Sequence, residues 1–291
     1  MSRAYFQPSA LEEALQIRRD NGEASLLAGG TDLVVAMRHD RGPAGDLIDL
    51  SKIPELKGIH EVTGNIRIGP MTTFTEIMES QLLREAAGIL CEAAETVGSP
   101  QIRNRGTIGG NLCNASAAAD CITPLLCLGA AVELRSLGSE GSRCTRVLPL
   151  ETFLIDSKKT DLRSDEILTG ILFQRPAGEM SFAFQKIGKR NALAIARLNG
   201  SCAIRLRGNT VTSLSFALGA ATSKPERIER TEEYLTGREL TEAVLAAAGK
   251  RAAEYVLEKT GVRASSSYKL PVIERFTASL IREAVERRTA L

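Results

Sequence analysis

Two short loops with paired glycines constrain this chain more than anything else in it. One reads A-G-G-T-D at 28–32, where the apolar run S-L-L-A (25–28) meets Gly29-Gly30. The other reads T-I-G-G-N-L at 107–112, inside a stretch, 98–120, that also holds Gly98, Pro100 and Gly106 and shows little regular pattern. Paired glycines let the backbone approach a bound group closely and expose consecutive N–H groups that can cradle a phosphate. The Thr and Asn beside them add side-chain donors. Either loop alone is equally an ordinary turn that contains Gly-Gly. Neither fits G-x-G-x-x-G or G-x-x-x-x-G-K-[ST], so a parallel dinucleotide fold and a P-loop nucleotidase are both unsupported. The net charge is +2, from 37 basic and 35 acidic residues. That leaves no strong field for nucleic acid or an anionic membrane, and a bound anion would have to be held locally.

The 291 residues allow two domains. Ser9 is the expected cap of a helix from Ala10 to about Asp20. S-L-L-A (25–28), D-L-I-D-L (46–50) and N-I-R-I-G (65–69) read as strands, and Thr72 to Ser80 and Leu82 to about Val97 as helices. A short apolar helix, Pro124 to Leu128, leads into strand A-V-E-L-R (131–135), and E-I-L-T-G-I-L-F (166–173) closes the first part. A boundary is expected at R-P-A-G-E (175–179), giving domains 1–176 and 177–291. Beyond it S-F-A-F-Q-K-I (181–187), S-C-A-I-R-L (201–206) and V-T-S-L-S-F-A-L (211–218) alternate with period two, the last pair joined by a Gly208-Asn209 turn. Helices follow at about 241–258 and 271–288, which makes an antiparallel meander backed by helices.

Little on the chain performs substrate chemistry. The only two histidines, His39 and His60, lie in polar stretches, and the six cysteines form no C-x-x-C pair, so no metal ligands cluster in sequence. There is no G-x-S-x-G elbow and no Cys–His spacing suited to a nucleophile. The N-terminus M-S-R-A-Y-F-Q-P has no apolar signal core and no apolar run spans a membrane, so a cytoplasmic protein without a membrane span is expected. With no Trp and 4% aromatics, a base-stacking surface is not expected either. The hard chemistry would then belong to an organic cofactor.

Taken together, the strings L-L-A-G-G-T-D-L (26–33), I-D-L-S-K-I-P-E-L-K-G-I (48–59), I-G-P-M-T-T-F-T-E-I (68–77) and G-S-P-Q-I-R-N-R-G-T-I-G-G-N-L-C-N-A-S-A-A-A-D (98–120) carry a resemblance that neither loop carries alone. It continues through D-E-I-L-T-G-I (165–171), F-Q-K-I-G-K-R (184–190) and S-S-S-Y-K (265–269), in collinear order over nearly the whole chain. The chain resembles the FAD-binding medium subunits of the molybdenum hydroxylases, the xanthine and carbon monoxide dehydrogenase family. The resemblance implies an α+β fold. Its first part would be a vanillyl-alcohol-oxidase (PCMH)-type FAD domain of two subdomains, its second a three-stranded antiparallel sheet with helices.

The cofactor implied is FAD. By motif matching its pyrophosphate would lie between Leu26, Leu27, Ala28, Gly29, Gly30, Thr31, Asp32 and Leu33 on one side and Thr107, Ile108, Gly109, Gly110 and Asn111 on the other. Asn114 and Asp120 match polar contacts to the flavin nucleotide, Ile167 and Leu168 the strand passing the adenine, and Lys186 a lysine that reaches the cofactor. From the residues alone, Asp120 is also a candidate N-cap for 121–128, and Lys186 a solvated strand-edge lysine. The partners implied are a molybdopterin-binding large subunit and a [2Fe-2S] small subunit, assembled as a dimer of heterotrimers. Electrons would pass from the clusters through FAD to NAD or another acceptor. Two departures stand out: Ala117 where relatives often carry Pro, and Ala194 where many carry an Asp near the flavin. The rival readings are a stand-alone FAD oxidase of the vanillyl-alcohol type and a scaffold that has lost FAD. The intact glycine pairs speak against the second.

Overall fold

The apolar runs become three sheets, beside a two-stranded pair of Leu154–Asp156 with Lys159–Thr160. The computed structural model describes residues 3–42, 45–138, 141–190 and 193–289. In the first sheet Leu47–Asp49 lies between Tyr5–Phe6 and Ser25–Leu27, all parallel. Parallel strands need a crossover, and the helix Leu11–Asp20 supplies one. Its residues Leu11, Ala14 and Leu15 pack on Ile48, Leu50 and Ile53. Ser9 does not cap this helix. Ala10 holds that position without a side-chain bond, and the Ser9 N–H donates to Glu13 instead.

The second sheet is antiparallel, in the order Ile59–Val62, Asn65–Ile68, Ile167–Gln174, Ala131–Leu137, Arg143–Pro149. Its buried face, with Ile66, Ile68, Val132, Leu134 and Ile171, packs under the helices Phe74–Glu79, Gln81–Glu95 and Ile122–Cys127.

The stretch 98–120 is more regular than its composition suggests. Ser99 and Thr107 each accept an N-cap bond and start the short helices Pro100–Arg103 and Ile108–Asn114. Glycine and proline mask the helical period there, while the hydroxyl caps set the two starts.

The third sheet runs Ser181–Ile187, Leu198–Arg207, Thr210–Gly219, with a fourth strand, Glu226–Arg227, of only two residues added at the edge of the expected three. Gly208 takes a φ of +60°, as a tight hairpin requires. The helices Glu229–Leu235, Glu242–Thr260 and Ser266–Thr289 cover one face of it. The last helix starts at Ser266 and runs through Pro271, where sequence alone would have begun it.

Candidate functional site

The two glycine-paired loops meet across a cleft of about 660 Å³, within the roughly 300–1,000 Å³ usual for ligand sites. The first loop leaves Ser25–Leu27 and enters the short helix Leu33–Arg38. The N–H groups of Gly30, Thr31 and Asp32 meet no acceptor among the described residues. Gly30 has a φ of +75°, and a Cβ on Gly29 would lie 1.9 Å from the Arg105 carbonyl oxygen, so this loop is built on the absence of side chains.

The second loop does not offer its N–H groups in the same way. Those of Ile108 and Gly109 donate to the carbonyls of Thr72 and Pro70, at 2.9 and 2.8 Å. The Gly110 N–H goes to the Thr107 hydroxyl at 3.1 Å, and that of Asn111 to the Thr107 carbonyl. Consecutive outward N–H groups were expected from both glycine pairs. Only the first pair provides them, because the second lies within a capped helix docked on residues 70–73.

Gly109 is a packing glycine, since its Cβ would sit 2.4 Å from Pro70 Cβ. Gly110 is different. A Cβ there would be 3.1 Å from Thr107 Oγ1 and 3.8 Å from Ala28 Cβ, across the cleft. Asn111 also lines the cleft, and its side-chain oxygen is buried without a hydrogen-bond partner among the described residues. A bare Gly110, unclaimed N–H groups opposite and an orphaned amide oxygen fit a long polar ligand such as FAD, whose diphosphate takes backbone donors.

Of the expected residues, Leu26, Ala28, Gly29, Gly30, Thr31, Asp32, Leu33, Thr107, Gly109, Gly110, Asn111, Asn114 and Leu168 line this cleft. Ile108 and Ile167 are fully buried in the core, and Leu27 backs Gly30.

Asp120 and Lys186 are brought together elsewhere, against each other. Lys186 Nζ lies 2.5 Å from Asp120 Oδ2 and donates to the Thr96 carbonyl at 2.9 Å, and Asn199 donates to Asp120 Oδ1 at 2.9 Å. Both side chains are less than a tenth exposed, so Lys186 is not a solvated edge residue. Asp120 does not cap the next helix, where Cys121 holds the cap position without a side-chain bond. Burial raises the Asp120 pKa above its ordinary value, against the opposing charge of Lys186. Lys186 borders a second cavity, with Thr96, Arg103, Arg190, Leu193 and Ala194.

Sequence reasoning missed the rest of the cleft wall. Phe74, Val97 and Ile102 line one part, and Arg18, Cys113 and Lys158 another. Burial pushes the Cys113 thiol up to about 12, so it remains protonated and is a poor nucleophile. Among the described residues no three His, Cys, Asp or Glu side chains cluster to hold a metal, and no helix is long and apolar enough to cross a membrane.

The match to known proteins agrees with this geometry. Residues 1–174 match the family model described as the FAD binding domain in molybdopterin dehydrogenase, and 183–284 the CO dehydrogenase flavoprotein C-terminal domain. The chain belongs to the FAD-binding medium-subunit family of the molybdenum hydroxylases. It is 32% identical over 284 residues to the xanthine dehydrogenase FAD-binding subunit of Escherichia coli O157:H7, covering 97% of this chain and 96% of that one. It is 34% identical over 272 residues to the nicotinate dehydrogenase FAD-subunit of Eubacterium barkeri, covering 91% and 90%. A chain of carbon monoxide dehydrogenase from Hydrogenophaga pseudoflava superimposes with a TM-score of 0.90 at 27% identity, covering 99% of this chain and 98% of that one. The protein is therefore an FAD-binding subunit of an oxidoreductase.

Proposed function

We propose that this chain is the subunit through which electrons leave a molybdopterin-dependent hydroxylase of the xanthine dehydrogenase kind. FAD, when bound, would supply the exchange between single electrons from [2Fe-2S] clusters on a small partner subunit and the electron pair taken by NAD or another acceptor. Substrate would be oxidised at a molybdopterin centre on a large partner subunit. The reading places the complex in the cytoplasm as a dimer of heterotrimers, with residues 1–176 of this chain as the FAD domain and 177–291 as a second domain. The single observation that carries it is the cleft between the Gly-Gly loops, lined both by Gly30, Thr31 and Asp32, whose N–H groups are unclaimed among the described residues, and by Gly110, which has no side chain to block approach.

The chain's own residues bind and orient. The N–H groups of Gly30 to Asp32 would hold the diphosphate, and Asn111 and Asn114 would add amide contacts on the opposite wall. Phe74, Val97 and Ile102 give one part of the cleft an apolar wall. In the wall of the second cavity the charge of Lys186 is matched by Asp120, and Arg103 and Arg190, bonded to backbone carbonyls, are the cations that would steady an anionic acceptor there.

Isolation of the native complex, with analysis of its metals and its flavin, tests this reading. The chain should copurify with molybdenum- and iron-bearing subunits, and acid precipitation should release all the flavin. A lone flavoprotein that turns over substrate, or flavin that stays with the precipitate, favours the stand-alone oxidase instead.

A further inference from the structure

One full charge in the cleft wall is incompletely paired. Arg18 lies in the last turn of Leu11–Asp20, on the same face as Leu11, Ala14 and Leu15, and is only 9% exposed. An arginine on such a stripe ordinarily carries its head out to water. This one borders the cofactor cleft. Its Nη1 donates to the carbonyls of Gly22, at 3.2 Å, and Ala24. Its Nε is buried with no partner among the described residues. Asp165 and Glu23 act on it through space and form no hydrogen bond with it, and burial lowers its pKa from the ordinary value. A buried guanidinium with donors to spare is costly to keep, and a ligand that completes its pairing accounts for it.

The place of Arg18 along the cleft says which part of the ligand that is. FAD is two nucleotides joined at a diphosphate. If the diphosphate lies where Gly110 faces Ala28, the two halves run in opposite directions from there. One direction is walled by Phe74, Val97 and Ile102, and Ile102 is 37% exposed, so this end is apolar and open to the surface. That suits the tricyclic ring, which must exchange electrons. Arg18 has other neighbours, the Gly22 and Ala24 carbonyls, Cys113 and Asp165, and shares the lining of the cleft with Lys158 and Leu168, so we take it to lie toward the other half. Adenylate offers ring nitrogens, ribose oxygens and a phosphate, all acceptors for guanidinium donors.

We propose that Arg18 holds the adenylate half of FAD and makes this site select FAD over FMN, which lacks that half. The inference rests on the FAD cleft proposed above.

The test uses the full chain stripped of flavin, titrated with FAD and with FMN by quenching of flavin fluorescence, with ADP as competitor. Arg18→Met keeps the length and apolar stem and removes the charge. It should weaken FAD binding about ten- to hundred-fold, the usual worth of a hydrogen bond to a charged group, and leave FMN binding unchanged. ADP should lose potency as a competitor by the same factor. The flavin-free variant should melt within a few degrees of the parent, because removing an incompletely paired buried charge offsets the lost hydrogen bonds to the Gly22 and Ala24 carbonyls. Arg18→Lys, which keeps the charge but loses the fork, should show an intermediate loss and gives the same readout if Arg18→Met does not fold. Equal FAD affinity in parent and variants, or FAD and FMN affinities falling together, overturns the assignment. So does a lower melting temperature without selective loss, which would mean that Arg18 only ties the carbonyls of Gly22 and Ala24. A parent that binds no FAD overturns the cleft reading itself, and this inference with it.

Discussion

Gly110→Val separates the cofactor cradle from the fold, because Gly110 alone among the four loop glycines combines space for a Cβ with a right-handed helical backbone: a Cβ on Gly29 or Gly109 meets backbone or Pro70, and Gly30 has a φ of +75°. A Cβ on Gly110 would press on Thr107 Oγ1 at 3.1 Å, a contact relieved by a shift of a few tenths of an ångström, and would stand 3.8 Å from Ala28 Cβ. Valine adds methyls one C–C bond further out, about 1.5 Å, which brings them into contact with Ala28 and bridges the two loops. Gly110 is the third residue of the helix Ile108–Asn114, where any other non-proline residue is favoured over glycine, Ala by up to about 1 kcal/mol. The fold should therefore melt within a few degrees of the parent, while FAD binding weakens at least about a hundred-fold, or roughly 2.7 kcal/mol. Gly110→Ala should be at least as stable as the parent, with a smaller loss of affinity. Gly29→Ala should fail to fold natively, because its Cβ meets the Arg105 carbonyl at 1.9 Å. Differential scanning fluorimetry of the flavin-free chain and fluorescence titration with FAD measure the two quantities. A folded Gly110→Val variant that binds FAD as tightly as the parent refutes the reasoning.

Three further outcomes follow from the same structure. Lys186→Met strands the buried Asp120 carboxylate and should cost about 3–5 kcal/mol in urea unfolding, most of it recovered in the double variant with Asp120→Asn; a neutral single variant contradicts the pairing. Burial acts to raise the Glu133 pKa, but the hydrogen bond from Thr169 and the charges of Arg135 and Arg67 together hold it below its ordinary 4.5. Its contribution to stability is thus present above the unfolded value and lost as pH falls through the folded one, and Glu133→Gln should flatten the loss of stability between about pH 5 and 3. Ala194 borders the second cavity with Lys186; if the flavin ring reaches to within about 6 Å of it, a carboxylate there, at an effective dielectric near 20, is worth roughly 3 kcal/mol, tens of millivolts for a two-electron couple. Ala194→Asp should lower the flavin potential in a redox titration, and an unchanged or raised potential means residue 194 does not face the ring.

The strands at 131–137, 181–187, 198–207 and 210–219 were legible because period-two alternation is a local signal that survives in one sequence, and those at 25–27 and 167–174 as short apolar runs. The helices at 100–103 and 108–114 were not, because four to seven residues rich in glycine and proline leave no period to read, and only the capping Ser99 and Thr107 mark them. The glycine pairs were legible as places of close approach. Which of them only pack against the protein was not, because that is decided by Arg105 and Pro70, brought up from other segments. The Asp120–Lys186 pair joins residues 66 apart, and nothing local to either announces the other. Arg18 did leave a trace: it follows Leu11, Ala14 and Leu15 at helical spacing, a charge on the stripe that faces inward.

Anaerobic mixing of the oxidised protein with the substrate of the native complex, while flavin absorbance is followed, separates a subunit that only relays electrons from one that oxidises substrate itself. In the assembled complex the flavin band should bleach on addition of substrate. In the isolated, FAD-loaded chain it should stay unchanged with substrate and bleach only with dithionite. Reduction of the isolated chain's flavin by substrate alone would contradict the account, because the chain would then carry substrate chemistry that the account assigns to its partners.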